Sequence, residues 1–335
     1  MKHVLITGAA GGLGISVTQE LAKRGYCVFA LDLHIEALGA INNDSIIAIP
    51  TDITDTASLM AARDTVVGVT SHLDAIINMA GVFAMHSLIE IDPTHIERTL
   101  SVNLMGTVKV NHIFFDFLLP NEGRIINCSS EVGRFPSIPF NGAYTISKKG
   151  LEAYNDTLRR ELGFLGYKVI KMQSGSFGTA MHTRTEEQFN HFKKTTKLYT
   201  PTLKLLKPIL EFELGHVNET KHLDRAIVQA LEAKRPKKAY RVKNSFLLSL
   251  LTLFGERFTD MVFLVLGKIA NRNSDVQKID TIDISSSNST ERFTERIGLL
   301  RYSLSWLSLE YCHNALSSVL MSTVFSVASV LHITV

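Results

Sequence analysis

Tyr144 and Lys148 stand four residues apart, and Ser130 precedes them behind the apolar run Arg124-Ile-Ile-Asn-Cys128. On a helix that spacing is one turn, which brings the phenol and the ammonium toward the same spot. A free tyrosine, with a pKa of about 10, is a poor base at neutral pH. A fixed cation beside it favours the phenolate and moves it toward acid–base work. A hydroxyl such as Ser130 can hydrogen-bond an oxygen that gains or loses charge. Tyr-x-x-x-Lys alone is common on solvated helix faces, so its weight depends on the segments around it.

The chain opens on Lys2-His-Val-Leu-Ile-Thr7, an apolar run that reads as a buried parallel strand. Gly8-Ala-Ala-Gly-Gly12-Leu13-Gly14 follows, and residues 15–24 carry apolar positions at helical spacing. Strand, glycine turn and helix together bring bare N–H groups and the positive end of a helix against a pyrophosphate. Gly8 permits a sharp exit from the strand, Gly12 lets a ligand approach the backbone, and Gly14 allows close helix–sheet packing. The spacing is G-x-x-x-G-x-G, unlike the commoner G-x-G-x-x-G. A second strand, Cys27-Val-Phe-Ala-Leu31, ends in Asp32. A carboxylate about twenty residues past the turn can accept from adenosine ribose hydroxyls and would repel a 2′-phosphate. No Lys or Arg sits in the turn or directly after Asp32, where His34 alone is near, so NAD is favoured over NADP. The plainer reading of Asp32 is a strand-end turn residue.

These residues resemble the short-chain dehydrogenase/reductase family in its compact single-domain form. Thr7-Gly8-x-x-x-Gly12-x-Gly14 is similar to that family's cofactor motif. The resemblance implies that Asp52, with Ile53 beside it, contacts the adenine ring. It implies a cofactor-lining strand end at Asn78-Met79-Ala80-Gly81, where Met79 replaces a second asparagine. Asn103 falls where the family places a fourth catalytic residue, beside Ser130, Tyr144 and Lys148. Gln173-Ser174-Gly175-Ser-Phe177-Gly-Thr179 matches the segment near the nicotinamide, with Ser174 in place of proline. Neither departure removes a catalytic group. The match runs from residue 2 to about 180, and more weakly to about 270. Residues 152–162 and 239–242 look most like the hydroxysteroid and retinol dehydrogenase branch.

The implied activity is hydride transfer between a nicotinamide cofactor and a secondary or lipophilic alcohol or its carbonyl compound. Tyr144 would be the general acid/base. Lys148 would lower the phenol's pKa and bind the nicotinamide ribose, Ser130 would hold the substrate oxygen, and Asn103 would hold a water leading to the lysine. The plainer reading of Asn103 is an asparagine that merely interrupts a helix. The alternative for the whole protein is a catalytically inactive nucleotide-binding or regulatory protein on the same scaffold.

The pattern of strands near 46–50, 74–78, 124–128 and 168–172, with helices near 56–70, 94–118, 142–165 and 219–234, predicts an α/β fold. It is a doubly wound parallel sheet of Rossmann type with a C-terminal helical appendage. Residues 1–243 make the expected catalytic domain, 244–270 an apolar helical lid or membrane-surface segment, and 271–335 a polar linker and apolar tail. A net charge of +3 in 335 residues, with no basic block, argues against nucleic acid as a partner. Cys27, Cys128 and Cys312 have neither disulfide nor metal spacing, and no motif suggests a metal. The first strand leaves no room for a leader, so a cytoplasmic location is expected. Residues 245–266 and 315–335 are the candidates for membrane-surface contact. A homo-oligomer, built through the helices bearing Asn103 and Tyr144, is implied by the resemblance alone. Met181, Phe189, Phe192, Leu198 and Tyr199 are expected in a mobile lid over the nicotinamide, facing a wall of Phe135, Ile138 and Phe140. Ordinary core is the equal alternative for these apolar residues.

Overall fold

The computed structural model describes residues 1–215 and 217–280. Cys312, the 285–290 run and the 315–335 segment lie outside the described residues, as does the side chain of Met181. Seven strands form one sheet: β1 (Lys2–Thr7), β2 (Tyr26–Asp32), β3 (Ile46–Pro50), β4 (Ala75–Asn78), β5 (Arg124–Ser130), β6 (Lys168–Ser174) and β7 (Ala239–Val242). Their order is β3-β2-β1-β4-β5-β6-β7, and every neighbouring pair is parallel. The order reverses between β1 and β4, which places a ligand crevice at the carboxyl ends of those two strands.

The helices in chain order are α1 (Gly12–Lys23), the single turn α2 (Glu36–Gly39), α3 (Thr56–Val67), α4 (Pro93–Leu100), α5 (Thr107–Phe114) and α6 (Gly142–Gly163). They continue with α7 (Ala180–Thr195), α8 (Thr200–Gly215), α9 (Lys221–Glu232) and α10 (Phe246–Asp280). Alternation along β1 divides the core. Val4 and Ile6 join Val17 and Leu21 of α1 and Leu223 and Ile227 of α9 on one face. Leu5 joins Phe29, Leu59 of α3, Phe114 of α5 and Leu162 of α6 on the other. Val4, Leu5 and Ile6 are completely buried, each worth roughly 1.5–3 kcal/mol against an exposed side chain. Asp55 starts α3 by accepting from the Ala57 and Ser58 N–H groups, and Asp92 does the same for Thr94 at α4.

The chain divides into two compact units. Met1–Leu198 with Leu214–Met261 holds the whole sheet; the described part of the other is Tyr199–Glu213 with residues 262–280. Three segments add to or depart from the sequence expectation. The stretch after Thr179 is helical as α7, whose 16 residues contain no Gly or Pro and carry Lys193 and Lys194 in the last turn, which suit a helix C-terminus. The long helix expected over 94–118 is interrupted by a π-helical turn, Ser101–Gly106. The two apolar runs beyond 244 are helical and meet at Gly255 (φ 77°, ψ 178°), and the helix continues through the polar residues 271–280, where no Gly or Pro stops it. Among the described residues no helix is long and apolar enough to cross a membrane.

Candidate active site

The glycine turn lies against the carboxyl end of β4. Gly8 has φ +68°, and a β-carbon built on it would stand 2.6 Å from the Ala80 Cα. One on Gly14 would meet the Gly8 carbonyl oxygen at 1.9 Å, so only glycine lets α1 begin so close to the strand end. Gly11 caps α1 without a side-chain acceptor. The first-turn N–H groups of Gly12, Leu13 and Gly14 are therefore left for an anion. Asp32 ends β2 beside them: its Oδ2 accepts from the Ala10 N–H at 2.9 Å and its Oδ1 from the His34 N–H at 3.2 Å. Bare backbone, free donors and a carboxylate that retains lone pairs fit a dinucleotide's pyrophosphate and ribose.

The acid–base residues gather across the sheet from that turn. Tyr144 and Lys148 lie on α6, with the Lys148 Nζ 5.7 Å from the centre of the Tyr144 ring. Lys148 is buried, and its Nζ donates to the Cys128 carbonyl oxygen at 3.0 Å. Burial lowers its pKa to about 8, although Cys128 and Glu152 act in the other direction. Burial pushes the Tyr144 phenol up to about 12; a hydrogen bond with Ser130 opposes this, and the Glu131 carboxylate adds to it. In this state burial outweighs any lowering by the lysine, contrary to the expectation of a depressed phenol. Ser130, at the end of β5, also accepts from the Val132 N–H at 3.4 Å.

Asn103 sits in the π-helical turn and is completely buried. Its Oδ1 accepts from the Val82 N–H at 2.7 Å; its Nδ2 donates to the Val82 carbonyl at 2.9 Å and to the Ser147 hydroxyl at 3.0 Å. The side chain thus braces the loop after β4 against α6. A β-carbon on Gly81 would stand 3.4 Å from the Asn103 Oδ1 and 3.6 Å from the Lys148 Nζ, so strand end, asparagine and lysine converge. Thr179 comes back to the glycine turn, where a β-carbon on Gly12 would meet its Cβ at 2.6 Å. Gly175 lets β6 end against β7, its N–H donating to the Val242 carbonyl at 2.9 Å.

Several residues expected at the cofactor have side chains engaged within the protein. Ile53 and Phe177 are buried in the two cores. Asn78 donates to the Oδ1 atoms of Asn111 (2.8 Å) and Asn127 (2.9 Å), joining a buried amide network that ties β4 and β5 to α5. Asp52 turns back on Thr54, accepting from its N–H and hydroxyl at 2.8 and 2.7 Å. Phe135 is completely buried core, whereas Phe140 lies 5.3 Å from Phe192 between ring centroids, Phe189 and Phe192 are buried, and Leu198 is exposed.

Three residues near the site escaped the sequence reading. Phe83 packs on Tyr144, Gln188 of α7 holds the Phe83 backbone, and Glu131 accepts from the Ser245 N–H at 2.5 Å. Glu131 was signalled only by its place directly after Ser130; nothing local marks the other two.

A family model described as short chain dehydrogenase matches residues 2–190. The chain is similar to the short-chain dehydrogenase virD of Hypocrea virens, 32% identical over 180 residues, covering 53% of this chain and 62% of that protein. It is 36% identical to 17-beta-hydroxysteroid dehydrogenase type 6 of Rattus norvegicus over 201 residues, 58% of this chain and 62% of that protein. With estradiol 17-beta-dehydrogenase 2 of Mus musculus the identity is 31% over 259 residues, 71% of this chain and 67% of that protein. The chain thus spans only 62% of the length of each of the first two. A solved short-chain dehydrogenase from Streptomyces avermitilis superposes on 84% of this chain and 98% of its own, with TM-score 0.61 at 20% identity, which speaks to the fold.

Proposed function

This chain belongs to the short-chain dehydrogenase family, and we propose that it is an NAD-dependent oxidoreductase interconverting a lipophilic secondary alcohol and its carbonyl compound. The observation that carries this is the convergence of Ser130, Tyr144 and Lys148 at the strand ends that also present the glycine turn. Gly12, Leu13 and Gly14 would bind the pyrophosphate through their N–H groups, Asp32 the adenosine ribose, and Lys148 the nicotinamide ribose. Ala80, Gly81, Gly175 and Thr179 would frame the ring. The bound nicotinamide supplies a hydride acceptor or donor.

For oxidation, the Tyr144 oxygen, as phenolate, would take the proton of the substrate hydroxyl; for reduction, the phenol would return a proton to the substrate oxygen. Ser130 holds the substrate oxygen while its charge changes. Below about pH 8 Lys148 carries the positive charge, which favours the phenolate during transfer. Asn103 positions Val82 and Ser147 around these groups. Asp32, followed by Leu33 and His34 and by no cation, supports NAD over NADP. The aromatic surroundings of Tyr144, and the hydroxysteroid dehydrogenases among the relatives, support an apolar substrate.

The test is turnover of steroid, retinoid and short-chain alcohols with NAD and with NADP, using the intact chain and Tyr144→Phe. The variant is expected to fold and bind NADH while losing roughly 10²–10⁴-fold in turnover. Turnover retained by Tyr144→Phe would overturn the assignment of the phenol. NADH binding with no turnover across the panel would favour a nucleotide-binding protein.

A further inference from the structure

The amino ends of the central strands, opposite the end that holds Ser130, carry a second cluster of titratable side chains. His3 lies in β1, and His72 and Asp74 lie in the turn leading into β4. An imidazole nitrogen from each histidine and a carboxylate oxygen of Asp74 all lie within 4.8 Å of one another. The backbone fixes this separation. The His3 N–H donates to the Asp74 Oδ2 at 2.7 Å, and the Asp74 N–H donates to the His3 carbonyl at 2.8 Å. All three side chains are half-buried, so an aqueous ion can reach them.

The surroundings prepare His3 as a ligand. The Thr70 hydroxyl donates to the His72 carbonyl at 3.0 Å and accepts from the His72 N–H at 3.3 Å. The same hydroxyl lies 3.3 Å from the His3 Nδ1. A metal-bound imidazole commonly has its other ring nitrogen held by such a neighbour. The buried Phe29 ring stacks beside His3 at 6.3 Å between centroids, and the His72 ring meets His3 edge-on at 5.4 Å. Burial and His72 hold His3 below the ordinary imidazole range despite the opposing pull of Asp74.

We propose that His3, His72 and Asp74 form a binding site for a divalent transition-metal ion of the zinc class. Two imidazoles and one carboxylate are a donor set suited to Zn²⁺, with water completing the tetrahedron. The ion would fasten the start of β1 to the entry of β4, at the end of the sheet remote from the hydride chemistry. It would act on stability rather than on turnover.

The test is calorimetric titration of the chelator-treated full chain with Zn²⁺, alongside His72→Ala and Asp74→Asn. The His72 ring makes no hydrogen bond among the described residues, and asparagine keeps an acceptor for the His3 N–H, so both variants should fold, as thermal melting will show. One equivalent of Zn²⁺ per chain is expected, raising Tm in the parent protein. Affinity should fall at least about tenfold in each variant. No uptake by the parent protein, or uptake unchanged by both substitutions, would overturn the site.

Discussion

The ring of Phe83 meets that of Tyr144 edge-on, with centroids 5.2 Å apart and planes at 63°. Phe83 is held from far along the chain: the Gln188 Nε2 donates to its carbonyl at 2.9 Å, and the Gln188 Oε1 accepts from the Met85 N–H at 3.0 Å. Glu90 adds a second tie, accepting from the Thr196 hydroxyl and the Lys197 N–H, both at 2.7 Å. Helix α7 thus braces the loop after β4, and that loop braces the phenol.

Phe83→Ala should leave the sheet intact and remove one wall of the phenol's pocket. An edge-on aromatic pair is worth about 0.5–1.5 kcal/mol, so kcat/KM for an apolar alcohol should fall by up to about tenfold. If the ring also contacts substrate, the loss will appear mainly in KM. Steady-state kinetics with a bulky and a short alcohol separate these cases, since only the bulky one should lose affinity.

Gln188→Leu is nearly the same size but cannot make either backbone hydrogen bond. The Phe83 carbonyl and the Met85 N–H then lose their partner, at roughly 1–3 kcal/mol. The expected result is a lower urea midpoint and a shared drop in kcat and kcat/KM. Unchanged kinetics would show that α7 does not support the phenol.

Asn103→Ala tests the brace beneath the lysine. It strips three hydrogen bonds from a fully buried group, leaving both polar backbone atoms of Val82 unmatched. A loss of roughly 2–4 kcal/mol in unfolding free energy is expected, with weaker NADH binding because Gly81 lies against the same side chain. Reduced turnover at unchanged stability would show instead that the side chain is not a brace.

The sequence was most legible where the physics is local. Residues 46–50 form the expected strand β3, because a run of Ile and Ala between turns has no competing pattern. The glycine turn and the four-residue step from Tyr144 to Lys148 were equally readable, since each depends only on backbone freedom or helix pitch. What escaped depends on distant partners. The inward turn of Asn78 is set by Asn111 and Asn127, 33 and 49 residues away. The rise in the Tyr144 pKa is set by burial, which spacing does not encode. Strand β7 is four residues long and, among the described residues, pairs only with β6, too short to show a period.

Gly12 and Thr179 provide a paired test of the nucleotide site. A β-carbon on Gly12 would press on the Thr179 Cβ at 2.6 Å and the Cγ2 at 2.9 Å. Gly12→Ala should therefore cost about 1–3 kcal/mol as an overpacked contact, read as weaker NADH binding in a fluorescence titration. Thr179→Gly in the same chain removes both opposing atoms and should restore part of that affinity. Additive losses in the double variant would show that the two segments do not meet.

The buried acid–base pair should leave its mark on stability as well as on turnover. Lys148 loses its proton near pH 8 when folded but near 10.5 when unfolded. Across that window the unfolded chain holds the extra proton, so stability rises with pH, by at most about 1.4 kcal/mol per pH unit. Tyr144 works the other way: it keeps its proton to about pH 12 when folded, against 10 when unfolded. Its contribution is complete below pH 10 and is lost as pH rises toward 12. The urea midpoint should therefore climb above pH 8, peak near pH 10 and fall beyond it. Lys148→Met should flatten the climb and Tyr144→Phe the fall. Profiles that stay parallel to the parent in both variants would show that neither group is titrating in a buried site.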